Sequence, residues 1–144
     1  MKSVAQLLAL KPGGIVGIAP EVTVLDAVKL LAEKNVGAVL VMEGPRLVGM
    51  FSERDYARKV VLQGKSSANT PVSEVMTRNV VFVTPTHTNE DCMALMTDKH
   101  IRHLPVVAND QVVGLLSIGD LVKDIISEQR FIIDQLQHYI SGDR

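Results

Sequence analysis

Val113-Gly114-Leu115-Leu116-Ser117-Ile118-Gly119-Asp120 and Val48-Gly49-Met50-Phe51-Ser52-Glu53-Arg54-Asp55 are two copies of one phrase, set 65 residues apart. In each, a short apolar run predicts a strand, and the Ser-x-x-Asp after it stands where a helix should begin. A hydroxyl and a carboxylate at such a junction have two physical uses. They can cap the helix, or they can present themselves to a ligand beside backbone N–H groups that the first turn leaves free.

Adding 65 to each number carries the match outward without a gap. Val16 meets Val81, Pro20 meets Pro85, Thr23 meets Thr88, Asp26 meets Asp91, Leu30 meets Leu95, Lys34 meets Lys99 and Val41 meets Val106. A register of this kind implies two like units stacked about a pseudo-twofold axis. The apolar residues ahead of each copy repeat too, Val72, Val75 and Met76 answering Val4, Leu7 and Leu8. With about three strands and two helices apiece, neither copy can bury its sheet alone.

In chain order, Val4, Leu7 and Leu8 predict a short leading helix, stopped by Lys11-Pro12-Gly13-Gly14. Residues 15–18 predict a strand closed by Pro20. Thr23 with Asp26 resembles a capping box for a helix whose apolar face carries Ala27, Val28, Leu30 and Leu31. Two apolar runs around Glu43-Gly44-Pro45-Arg46 predict a hairpin. A further helix after Asp55 carries Tyr56, Val60 and Val61, and the polar residues 63–69 form a linker. The chain divides into a first repeat with its leading helix at 1–64, a linker and second repeat at 65–127, and a helical extension at 128–144. Along the helix that runs from the second repeat into that extension, Val122, Ile125, Gln129, Ile132, Leu136 and Tyr139 alternate steps of three and four, with Ile126, Ile133 and Ile140 alongside, until Ser141-Gly142. Part of this stripe should cover the chain's own core. The remainder needs a partner, most simply the same helix of a second chain, so a homodimer is expected.

Composition narrows the function classes. A 47% hydrophobic chain of 144 residues with only 3% aromatics suits a Val, Leu, Ile, Ala and Met core of strands covered by helices. A net charge of -1 gives no footprint for nucleic acid or an anionic membrane, so any anion site must be local. The single cysteine, Cys92, falls among helical apolar positions and cannot form an internal disulfide, which favours a buried thiol in a cytoplasmic protein. No run of about 18 apolar residues occurs and Met1-Lys2-Ser3 opens no signal-peptide pattern, so neither a membrane span nor export is expected. His87, His100 and His103 lack a cysteine or carboxylate at ligand spacing, and no nucleophile stands at triad-like spacing from a base. Neither a metal site nor catalysis is therefore predicted.

The tandem order of helix, strand, helix, strand, strand, helix, with Gly-x-x-Ser-x-x-Asp closing each copy and Met76-Thr77-Arg78-Asn79 opening the second, resembles a CBS domain pair, the Bateman module. The resemblance covers residues 4–127. It implies an α/β (α+β) fold of two β-α-β-β-α units packed with pseudo-twofold symmetry, followed here by a C-terminal helix. It also implies a stand-alone, non-catalytic regulatory module whose clefts take an adenine nucleotide. AMP is the first choice, with NAD, ADP or ATP next and S-adenosylmethionine also in the family's range. Occupancy is expected to signal by conformational change to a separate effector protein. The alternative is a scaffold with vestigial clefts.

Carried onto this chain, the resemblance assigns two sites. In one, Asp120 would hold the ribose diol and Ser117 would lie near the phosphate. Arg102, His103 and Pro105 would stand in the phosphate-contacting strand, and Gly14, Ile15 and Val16 would form the adenine slot. In the other, Asp55 and Ser52 play the same parts, Thr77, Val80 and Val81 form the slot, and Gly37 and Ala38 replace the basic pair. Arg54, with Arg58 one turn on, is expected to supply the missing charge there. The plainer reading of both Ser-x-x-Asp pairs as helix caps stays open at this stage.

Overall fold

A computed structural model describes residues 1–11 and 13–141. The chain begins with α1 (Val4–Leu10), capped by Ser3, whose hydroxyl accepts from Gln6 N while the Gln6 side chain returns to Ser3 N. The first copy then runs β1 (Gly17–Ile18), α2 (Val24–Lys34), β2 (Ala38–Glu43) and β3 (Arg46–Ser52). It continues through one α-helical turn, α3 (Glu53–Asp55), directly into a π-helix (Tyr56–Val61). A 3₁₀ turn (Val72–Glu74) precedes the second copy, which comprises α4 (Asn89–Lys99), β4 (His103–Ala108), β5 (Gln111–Ser117) and the long α5 (Ile118–Ser141).

Each local choice follows from the residues. Thr23 and Thr88 cap α2 and α4 by accepting from Asp26 N and Asp91 N, and only the second is a reciprocal box. Asn35 and His100 end those helices in the left-handed region, the common way for a chain to leave a helix. The β2–β3 hairpin turns on Gly44 at φ 59°, and the β4–β5 hairpin on Asn109 and Asp110 at φ 52° and 62°, the two-residue turn that matches strand twist. β2 and β3 pair antiparallel with β1 added in parallel, while β4 and β5 pair antiparallel. The strand expected at 15–18 is shorter than predicted, because only Val16 O, Gly17 and Ile18 meet β2. In the second copy the equivalent pairing shrinks to a single bridge, Val83 to Val106.

Two cores result. The first gathers Val24, Ala27, Leu31, Val39, Val41, Phe51 and Val60, and the second Val83, Cys92, Met96, Leu104, Val106, Leu116 and Leu121. The leading segments are exchanged between them. Val4 and Leu7 of α1 lie in the second core, while Val72, Val75 and Met76 lie in the first. The backbone repeats this exchange in register: Val4 N donates to His87 O and Ala5 N to Pro85 O, as Val72 N donates to Val22 O and Ser73 N to Pro20 O. The two apolar leaders differ in form, α1 being α-helical and its counterpart a single 3₁₀ turn.

In α5 the core-facing residue is Leu121, fully buried, and not Val122 of the predicted stripe, which is exposed. From Gln129 to Ser141 every residue is exposed, Phe131, Ile132, Ile133, Leu136, Tyr139 and Ile140 included. The stop expected at Ser141-Gly142 lies partly outside the described residues.

Candidate functional site

β2 begins at Ala38, opposite Ser52, and β4 begins at His103, opposite Ser117, so both Ser-x-x-Asp junctions stand at strand ends remote from the hairpin turns. Each serine caps its helix. Ser52 Oγ accepts from Asp55 N at 3.2 Å while Asp55 Oδ2 accepts from Ser52 N at 3.0 Å, and the Ser117–Asp120 pair repeats this at 3.2 and 2.8 Å. Capping therefore accounts for one oxygen of each carboxylate.

The second oxygen separates the two copies. Asp55 Oδ1 accepts from Thr77 Oγ1 at 3.1 Å and from Lys59 Nζ at 3.0 Å, and the residue is buried. Thr77 N also donates to Met50 O at 2.8 Å, and Met50 N to Thr77 O at 2.9 Å. The segment after the 3₁₀ turn is thus bridged onto β3 and hydrogen-bonded to Asp55. Among the described residues the second copy makes no such bridge. Lys11 Nζ reaches in from the end of α1, donating to Leu115 O at 2.7 Å and to Asp120 Oδ2 at 2.8 Å. Asp120 Oδ1 has no hydrogen-bond partner among the described residues. Burial raises the Asp120 carboxyl, but the donors Lys11 and Ser117 outweigh it and hold it below the ordinary carboxylate range.

His103 stands at the seam between the copies. A Cβ placed on Gly37 would lie 3.2 Å from its Cε1 and Nε2, so the glycine makes room for the ring. Gly37 and His103, expected in separate sites, therefore face each other. Burial lowers the His103 pKa, Lys11 and, less, Arg102 lower it further, and Asp120 opposes them. Arg102, by contrast, is exposed.

The expected residues fall as follows. Ser117, Asp120, His103 and Arg102 share one neighbourhood, and Ser52, Asp55 and Thr77 another. The Arg54 guanidinium, expected to supply charge to the first site, donates to His100 O at 2.7 Å, across the seam, where a helix end presents carbonyls. Ala38 and Pro105 are buried in the strands, Val16 and Val81 pack against the first and second cores, and Gly14 and Ile15 are exposed. Val80 lines a depression of about 520 Å³ at the hairpin-turn end, together with Arg46, Arg78, Phe82 and Asp110.

Lys59 and Lys11 were not foreseen. The first was readable as an acid-to-lysine i,i+4 pair with Asp55. The second carried no local signal, being part of a helix-breaking loop. Sixty-five residues on from Lys59 stands Asp124, which turns the other way, to Lys2 at 2.9 Å and to the buried Asn89 at 2.7 Å. Among the described residues no cluster of three or more His, Cys, Asp or Glu side chains could hold a metal ion, and no helix is long and apolar enough to cross a membrane.

The CBS domain family matches the chain twice, at residues 14–62 and 72–127, the same two copies that the register and the cores define. The chain belongs to the CBS-domain family, as a tandem pair. This CBS pair is 42% identical over 125 residues to the CBS domain-containing protein CBSX3, mitochondrial, of Arabidopsis thaliana, a match covering 83% of the chain and 61% of that relative's length. Its fold is similar to that of a CBS-domain protein from Burkholderia ambifaria MC40-6, at 49% identity and a TM-score of 0.86 over 89% of this chain and 96% of that one. The same fold, at 24% identity and a TM-score of 0.73, covering 83% of this chain and 89% of the other, occurs in CBS domain protein PAE2072 from Pyrobaculum aerophilum, which is complexed with AMP.

Proposed function

We propose that this CBS pair is a non-catalytic regulatory module that binds an adenine nucleotide in the cleft at Asp120. The observation that carries the reading is the contrast between the two carboxylates. Both oxygens of Asp55 are taken by the protein's own donors. Asp120 keeps Oδ1 for a ribose hydroxyl, with Lys11 on its other oxygen and His103 near. For the first cleft the structural reading is the better one: Thr77 and Lys59 seal it.

AMP heads the ligands to test, ahead of NAD, ADP and ATP, because only a few positive groups converge on Asp120; the AMP-bound relative supplies a shared fold and a reason to include it. A nucleotide at the seam would favour one relative orientation of the copies, and that orientation would be read by a separate effector protein. The module is expected to act as a homodimer through the exposed end of α5, and to be cytoplasmic.

Calorimetry and thermal shift against AMP, ADP, ATP, NAD and S-adenosylmethionine test this. A ligand at 100 times its dissociation constant should add about 2.7 kcal/mol of stability. Asp120→Ala should abolish the effect, whereas Asp55→Ala should lower the melting point yet leave a binding isotherm. If no nucleotide shifts the wild type, or if binding survives Asp120→Ala intact, the scaffold reading stands instead.

A further inference from the structure

In the first copy, Thr77 makes two donations, its N–H to Met50 O and its hydroxyl to Asp55. Met50 and Asp55 correspond, 65 residues on, to Leu115 and Asp120. There both acceptors are met by a single ammonium, Lys11 Nζ, at 2.7 and 2.8 Å. A bridged backbone segment meets these acceptors in one copy, and one side chain meets them in the other.

The difference has chemical content. A bridged backbone segment cannot be exchanged for a solute without unpairing it, whereas an ammonium on a four-carbon stem can change partners. It has three N–H donors, of which Leu115 O and Asp120 Oδ2 take two. The side chain is 35% exposed and that of Asp120 28%, so the pair is open to solvent. Lys59, which neutralises Asp55 from within its own helix, has Asp124 as its counterpart. Lys11 is therefore the only lysine within salt-bridge reach of Asp120 among the described residues.

Resting on the reading that a nucleotide occupies the Asp120 cleft, we propose that Lys11 is the phosphate-recognising residue of that cleft. In the free protein it holds Asp120. When a ribose diol takes the carboxylate, the ammonium keeps Leu115 O and turns to the ligand's phosphate. The ion pair with Asp120 is replaced by one with the phosphate, so no charge is left unpaired. A nucleoside, which brings the diol without an anion, would displace Lys11 with nothing to receive it. Lys11 thereby sets the preference for a phosphorylated ligand over the bare nucleoside.

Calorimetry on the full chain with AMP and with adenosine, for wild type, Lys11→Met and Lys11→Arg, tests this. The wild type should prefer AMP. Lys11→Met should lower the AMP-to-adenosine affinity ratio by about tenfold or more, the loss typical of a charge-assisted hydrogen bond, while adenosine binds at least as well as before. Lys11→Arg should restore most of the ratio, which also serves if the Met variant folds poorly. An unchanged ratio in Lys11→Met, or equal losses for both ligands, would show that Lys11 only braces the end of α1, and would overturn the proposal while leaving the nucleotide reading intact. A wild type that binds neither ligand would remove both.

Discussion

Gly49 and Gly114 hold the same place in the two copies, and each is there because a side chain from a distant segment presses where a Cβ would be. At Gly114 that Cβ would stand 2.5 Å from Leu8 Cδ2, a methyl on a side chain that can rotate. At Gly49 it would stand 2.6 Å from Met76 Sδ and also 3.0 Å from the carbonyl of Thr77, which is paired to Met50 N and cannot retreat without breaking that bond. Gly49→Ala should therefore destabilise the protein by about 1–3 kcal/mol in urea unfolding, and Gly114→Ala by less. Equal or reversed losses would mean that the Thr77 bridge yields easily. At this scale the sequence displayed the glycine, serine and aspartate of each phrase, and with them both caps. It did not display what presses on the glycines or what reaches the aspartates from elsewhere. Thr77, which the family resemblance assigns to the Asp55 site, donates to Asp55; Leu8, Lys11 and Met76 arrive from segments whose placement depends on a chain crossing, and no local spacing encodes that.

Among the described elements, α5 exposes the most large apolar side chains. Its first turns belong to the second core through Leu121 and are held by the buried Asp124, which bonds both Lys2 and Asn89. Beyond Glu128 the helix runs on for about 20 Å with its apolar residues exposed, Tyr139 and Ile140 at 85% and 82%. The alternating three- and four-residue spacing of Ile132, Leu136 and Tyr139 suits a partner helix with the same spacing, and a second copy of the chain carries one. Light scattering should give a dimer, and Leu136→Glu, at a site exposed in the single chain, should give a monomer whose melting point at low concentration is little changed. A monomeric wild type would refute the pairing. The periodicity was legible in the sequence because helical spacing is local. Which edge of the stripe meets the chain's own core was not, since Leu121 and Val122 are equally apolar and only the direction of β5 into α5 decides between them.

For the whole molecule, the exchange of leading segments matters more than the repeat itself. Val4-x-x-Leu7-Leu8 and Val72-x-x-Val75-Met76 have the same apolar spacing, so sequence alone leaves each free to serve either core. The structure sends each one across: Val4 and Leu7 into the core of α4, β4 and β5, and Val72 and Val75 into that of α2, β2 and β3. Neither copy then completes its core from contiguous chain, which couples the halves and carries the end of α1, with Lys11, to the Asp120 cleft. A mutation early in the chain should accordingly be felt late in it. Leu7→Ala should cost about 2–4 kcal/mol, as large-to-small changes in packed cores do. Hydrogen exchange should show the lost protection in the amides of α4 and β4, with α2 and β2 less affected. Protection lost first in α2 and β2 would place α1 on the first core and, with it, detach Lys11 from Asp120.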